Sequence, residues 1–380
     1  MNSQKHLFSL DPKISYLNCA YMSPLMKSVE QAGIEGIRRK LQPWKVTGED
    51  FFNESNELRK EFAKLINTAE PNRCVIIPSA SYGFANVANN LELNEEDEIL
   101  VVSEQFPSNV YPWRKIAEGS GARIVTINPP VTTENRAKLW NEYILDGINS
   151  NTKLVACGHI HWADGTIFDL KSIRKRTREV GALMAIDATQ SLGALSFDVQ
   201  ELEPDALIAA GYKSLMGPYS IGMAYYGEAF DAGTPVEENW INRYKSEDFA
   251  NLVNYNDDYQ PQALRYEVGE HSNFILVPML LEAMKVLNSW KPENVKAYCD
   301  ELVREPIQRL REAGFIIEKE GMRASNLFGI RLANHHNMNH LKQKLTESNI
   351  FVSYRGDAIR VSPNVYNDET DLDRLVNALL

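Results

Sequence analysis

Lys213 and Asp187 are the residues of this 380-residue chain whose types and setting first suggest chemistry. Asp187 ends the apolar run Leu183-Met184-Ala185-Ile186, and Lys213 follows Ala206-Leu207-Ile208-Ala209-Ala210 after Gly211-Tyr212. A buried lysine amine is a nucleophile toward an aldehyde, and a carboxylate beside a pyridine nitrogen keeps that nitrogen protonated. Each residue also has a plainer reading: a lysine in an exposed turn, or an acid that caps a helix. What favours the chemical reading is the pair of elements. Short apolar runs with few polar breaks suit strands buried on both faces of a parallel sheet. Ligands in such sheets sit outside the carboxyl ends of the strands, where both residues fall.

Other runs end in the same way. Arg73-Cys74-Val75-Ile76-Ile77-Pro78 reads as a strand leading into Ser79-Ala80-Ser81, a helix start whose free N–H groups suit a phosphate, or simply a serine cap. Ile99 to Val102 leads to Phe106, a flat ring suited to stacking on a flat cofactor or to the core. Leu154 to Cys157 leads to His159 and His161; two histidines without a third ligand at sensible spacing do not make a metal site. His161 is the better candidate for a polar contact or a proton carrier. Arg360, between Ile359 and Val361, offers a planar fork for a carboxylate. The nucleophile and the electron-sink acid are together what a protein supplies to pyridoxal phosphate.

DATQSLG followed by AAGYKSLMGPYSIG resembles the signature of the pyridoxal-phosphate enzymes of aminotransferase class V, with cysteine desulfurases, kynureninases and isopenicillin N epimerase-like proteins. The resemblance implies fold type I: an α/β protein with a mainly parallel seven-stranded sheet in a large domain, residues 1–270, and a smaller α/β domain, residues 271–380. It implies that Lys213 is the Schiff-base lysine, that Asp187 pairs with the pyridinium nitrogen, and that Gln190 bonds the phenolic oxygen. Tyr212, Ser79, Ala80 and Ser81 would meet the phosphate, and Phe106 the pyridine face. Arg360, in IRVSPNVYN, would hold the substrate carboxylate, and the backbone of Ala20 and Tyr21, in YLNCAY, would lie over the substrate. Ser272 would cross from a neighbouring subunit of a homodimer to the phosphate. Two departures stand out: Tyr82 where many relatives carry an acid, and Glu270-His271-Ser272 where many carry a threonine.

Composition sets outer bounds. A formal charge of −11 argues against nucleic acid or an anionic membrane as partner, and no apolar run reaches the length of a membrane helix. The N-terminus lacks an apolar signal core, so a cytoplasmic protein is expected; the resemblance implies an enzyme with an amino-acid substrate, and no metal is expected. Cys19, Cys74, Cys157 and Cys299 are scattered and form no CxxC pair. No cysteine occurs between Ile350 and Ile359, ahead of the carboxylate-binding arginine, where a desulfurase needs one. With Phe106 in place of the desulfurase histidine, this places the expected chemistry, at Cα or by elimination at Cβ, on the epimerase and kynureninase side. A desulfurase or selenocysteine lyase-like activity without a catalytic cysteine, or a non-catalytic pyridoxal-phosphate-binding paralogue, are the alternatives. A dinucleotide-binding dehydrogenase is disfavoured because no GxGxxG opens a helix after a strand.

Overall fold

The computed structural model describes residues 1–132, 134–332 and 337–380. The chain begins with β1 (Ser15–Tyr16), α1 (Lys27–Arg39) and α2 (Asn53–Leu65). The main sheet is then built by β2 (Cys74–Ile77), α3 (Ala80–Asn89), β3 (Glu98–Val102), α4 (Tyr111–Ser120), β4 (Arg123–Ile127), α5 (Arg136–Gly147), β5 (Thr152–Gly158), α6 (Leu170–Val180), β6 (Leu183–Asp187), the short α7 (Val199–Leu202), β7 (Ala206–Ala210) and β8 (Gly222–Tyr226). Seven strands lie in the order β2-β8-β7-β6-β5-β3-β4. Only β8 runs against the others, being antiparallel to both β2 and β7. This is the mainly parallel seven-stranded α/β sheet that the family resemblance implies.

Every residue of β2, β3, β7 and β8 is buried, because helices cover both faces and leave no solvent side for polar alternation. The stripe Leu58, Phe62 and Leu65 of α2 faces that core, joined by α8 (Leu276–Trp290), which packs on α1 and α2. After α9 (Pro292–Glu312) the chain forms β9 (Phe328–Arg331), α10 (Met338–Glu347), β10 (Ile350–Phe351), β11 (Ser353–Arg355), β12 (Ala358–Val361) and α11 (Glu369–Leu379). β11, β12 and β9 make an antiparallel three-stranded sheet over a separate apolar cluster that includes Val303, Phe328, Ile359 and Leu375. Within Phe315 to Ile317, which reads as a strand in the sequence, Ile316 bridges Arg331 in antiparallel fashion. The next carbonyl, of Ile317, accepts from the Arg311 guanidinium instead of a neighbouring strand.

The N-terminal segment belongs to the small sheet's neighbourhood. Ser15 and Tyr16 pair in parallel with Ile350 and Phe351. The backbone of Cys19 then donates to the Ser362 carbonyl (3.0 Å) and that of Ala20 to its hydroxyl (2.9 Å). Among the described residues no helix is long and apolar enough to cross a membrane.

Candidate active site

The carboxyl ends of β2, β3, β5, β6 and β7 converge on one cavity of about 260 Å³, lined by Ser79, Phe106, His161, Asp187 and Lys213 among others. A second cavity of about 420 Å³ shares Phe106, Trp162, Tyr212, Lys213 and Tyr219 with it and adds Ala20, Tyr21, Met22, Arg355 and Arg360. Lys213 therefore stands where a space between strand ends meets a space walled by the small sheet.

Lys213 is 5 % exposed, with Nζ 4.9 Å from the Phe106 ring centroid and 5.4 Å from that of Tyr212. Burial pushes its amine down to about 8; the Asp187 charge opposes this, and the Arg360 and Arg355 charges add to it. Asp187 has the opposite problem. Desolvation raises its carboxyl, against hydrogen bonds from Thr189, whose N–H lies 3.0 Å from Oδ1, and the pull of Lys213. A buried amine that loses its proton easily and a carboxylate awaiting a cationic partner are complementary halves of one site.

At the other end, Ser79 caps α3, its Oγ accepting from the Tyr82 N–H at 3.3 Å and lying 2.9 Å from Ser81 Oγ. The N–H groups of Ala80 and Ser81 precede any carbonyl they could bond within the helix, and the helix dipole adds positive potential. Tyr82 does not line the cavity. Its hydroxyl donates to Glu237 Oε2 at 2.9 Å, and that oxygen also accepts from the Gly269 N–H at 3.0 Å. The departure at position 82 thus ties the start of α3 to the turn at Gly269.

Four buried polar atoms of residues lining the two cavities lack partners among the described residues: Gln105 Oε1, Gln190 Oε1, Arg355 Nε and Arg360 Nε. Gln190 donates through Nε2 to the Ala20 carbonyl at 3.2 Å. Arg360 is 1 % exposed; its Nη atoms donate to the Trp162 carbonyl (2.9 Å) and Ser353 Oγ (3.2 Å). Burial and the neighbouring Arg355 push it down to about 9, which leaves it charged at neutral pH. Phe106 meets Trp162 edge-on at 5.4 Å, and Tyr212 lies 4.6 Å from Tyr219.

Not every expected residue is free at the site. His161 lines the cavity, but its Nδ1 is 3.1 Å from Asp164 Oδ1 and its Nε2 is 3.3 Å from the Ser103 carbonyl. Burial alone would raise the Asp164 carboxyl; His161, Arg331 and Arg136 hold it well below the usual range. His159 lines a different groove, beside Phe197 and Phe168. Ser272 is buried and lines neither cavity of its own chain. Thr189, Trp162, Tyr219 and Arg355 were not singled out in the sequence. Thr189 sits inside DATQ and Tyr219 inside MGPYS, so a reading of whole motifs would have found them. Trp162 and Arg355 carry no such signal.

Residues 44–375 match the family model described as Aminotransferase class-V. The chain belongs to the aminotransferase class-V family. Among its class-V relatives, an uncharacterized aminotransferase, YcbU, of Bacillus subtilis (strain 168) is 25% identical over 323 residues, 84% of this chain and 82% of that protein. A probable cysteine desulfurase of Halalkalibacterium halodurans is 32% identical over 206 residues, 54% of this chain and 45% of that protein, so the match spans less than half the relative's length. Solved structures share the fold. The cystine C–S lyase C-DES, in complex with its reaction product cysteine persulfide, aligns with TM-score 0.85 at 18% identity over 97% of both chains. The cysteine desulfurase CsdA from Escherichia coli aligns with TM-score 0.80 at 21% identity over 98% of this chain and 96% of its own. The class-V cofactor is pyridoxal phosphate. The buried amine of Lys213, the unpartnered Gln190 Oε1 and the exposed first turn of α3 are the polar complement that such a group requires.

Proposed function

We propose that this protein is a pyridoxal-phosphate enzyme that breaks the Cα–H bond of an amino acid. The observation that carries the reading is the convergence of Lys213, Asp187 and Arg360 on two cavities that share Lys213. When bound, the cofactor supplies an aldehyde to hold the substrate amine and a ring to take up electrons from Cα. Lys213 holds the cofactor covalently and, once released, moves the proton at Cα; an amine with a pKa near 8 suits both tasks near neutral pH. Asp187 keeps the ring nitrogen protonated, Gln190 orients the ring hydroxyl, and Phe106 covers one face. Ser79, Ala80, Ser81 and Tyr212 hold the phosphate. Arg360 binds the substrate carboxylate, with the Ala20 and Tyr21 backbone closing over it. In a homodimer, Ser272 would serve the neighbouring subunit's phosphate.

Lys213 is the base this arrangement leaves free, because His161 is engaged on both nitrogens. The reading stays on the side of the family that manages without a relay cysteine, as in epimerases and kynureninases. None of the four buried cysteines lines either cavity. A second reading, sulfur or selenium release without a protein thiol, is favoured by the similarity to desulfurases. The test is hydrogen exchange at Cα in heavy water across a panel of amino acids, read by mass spectrometry with product analysis. Exchange or racemisation without fragmentation supports the first reading; pyruvate and ammonia mark elimination, and alanine, with the zero-valent sulfur taken up by an added thiol reductant and recovered as sulfide, marks the second reading. Absence of exchange and product from every amino acid would leave a non-catalytic paralogue and sink the proposal.

A further inference from the structure

Arg355 stands in the second cavity beside Arg360, and the chemistry above uses only Arg360. Their guanidinium carbons lie 5.1 Å and 5.8 Å from the centroid of the same ring, Trp162. That indole is fixed by its N–H, which donates to the Glu104 carbonyl, and by the edge-on contact with Phe106. Neither arginine forms an ion pair among the described residues. Asp357, the acid nearest in sequence, is taken by Arg331 at 3.1 Å. Arg355 donates one bond, from Nη1 to the Tyr354 carbonyl at 2.7 Å, and its Nε, like that of Arg360, is buried without a partner.

Two partly dehydrated guanidiniums, with no carboxylate among the described residues paired to either, repel one another. Such an arrangement persists where a ligand brings the missing negative charge. One α-carboxylate satisfies one fork. We infer that Arg355 forms a second anion subsite, and that the substrate is an amino acid whose side chain carries its own negative charge, such as a carboxylate or sulfinate. This rests on the proposed function, since Arg360 must take the α-carboxylate for Arg355 to be left to the side chain. A neutral side chain would leave Arg355 unpaired in a space it shares with the ligand, a penalty that turns a charge preference into discrimination.

The test uses the cofactor-loaded protein and near-isosteric pairs: aspartate against asparagine, glutamate against glutamine. Binding is followed by the change in cofactor absorbance, and separately by calorimetry with the unreactive anions glutarate and butyrate. The expected result is at least tenfold tighter binding of the acid than of its amide, and of glutarate than of butyrate. Arg355→Met should erase both differences while leaving amide binding within about twofold, and Arg355→Lys should restore part of them. Equal affinity for acid and amide in the unaltered protein would overturn the inference. So would an Arg355→Met variant that loses both by the same factor, which would make the residue a structural support or the α-carboxylate ligand. If no amino acid perturbs the spectrum of the loaded protein, the proposed function fails and this inference fails with it.

Discussion

Lys213 has a pH consequence whose sign is fixed by its burial. In the folded protein without cofactor its pKa is lowered to about 8, from an ordinary value of 10.5. Between those values the unfolded chain binds more protons, so stability rises with pH across that window. The cost of burying the ammonium is present in full below pH 8 and is relieved as pH climbs toward 10.5. Lys213→Met is therefore expected to stabilise the cofactor-free protein at pH 7 by about 1–3 kcal/mol. The gain should shrink by pH 10, and urea unfolding at several pH values reads it. Attachment of the cofactor needs the neutral amine. Its rate, trapped with borohydride, should climb with pH through a midpoint near 8, and the label should map to Lys213 and not to Lys245 or Lys285. Asp187→Asn should keep the fold and cofactor but lower turnover by roughly 10²–10³, as loss of one preorganised electrostatic contact does. Near-normal turnover of that variant would make the acid a structural cap. Arg360→Lys should raise KM more than it lowers kcat, because a point charge cannot replace a two-pronged fork.

At the scale of elements, the strand-end residues were legible because central parallel strands tolerate few polar residues. A run such as Ala206 to Ala210 announces both the strand and the place where polarity resumes. What stayed hidden depends on contacts between distant elements. Tyr82 is explained by Glu237, the restraint on His161 by Asp164 with Arg136 and Arg331, and the role given to Arg355 by the absence of an acid. None of these is a property of a local pattern. The β5 loop that carries His161 and Trp162 meets β9 at Gly165. Its φ is +81°, and an added Cβ would come within 2.0 Å of the Leu327 carbonyl oxygen. Gly165→Ala is expected to cost about 2–3 kcal/mol in denaturant midpoint, since neither the backbone angle nor the neighbouring main chain can yield cheaply. It should also loosen substrate binding, because Trp162 braces Arg360.

At the scale of the whole molecule, all four cysteines are buried. Burial pushes the thiols of Cys19 and Cys157 up to about 11 and 12, and raises those of Cys74 and Cys299 further still. The native protein should then react negligibly with a thiol reagent at pH 8, while four thiols titrate after denaturation. Mass spectrometry after incubation with cysteine should find no protein persulfide; one on Cys19 that turnover requires would overturn the choice of reaction side. The parallel pairing of Ser15–Tyr16 with Ile350–Phe351, and the bonds from Cys19 and Ala20 to Ser362, also set an order of events during synthesis. Every residue lining the first cavity, and β8, which joins β2 to β7, has left the ribosome once Tyr226 emerges, so the end of the site that receives the cofactor can assemble on the nascent chain. The wall formed by Ala20, Tyr21 and Arg360 must wait for the last strand, which brings Arg360 and the Ser362 that Cys19 and Ala20 bond. A chain stalled before Arg360 would accept the cofactor yet present nothing to grip an amino acid's carboxylate, so the reactive group is in place before anything is allowed to use it.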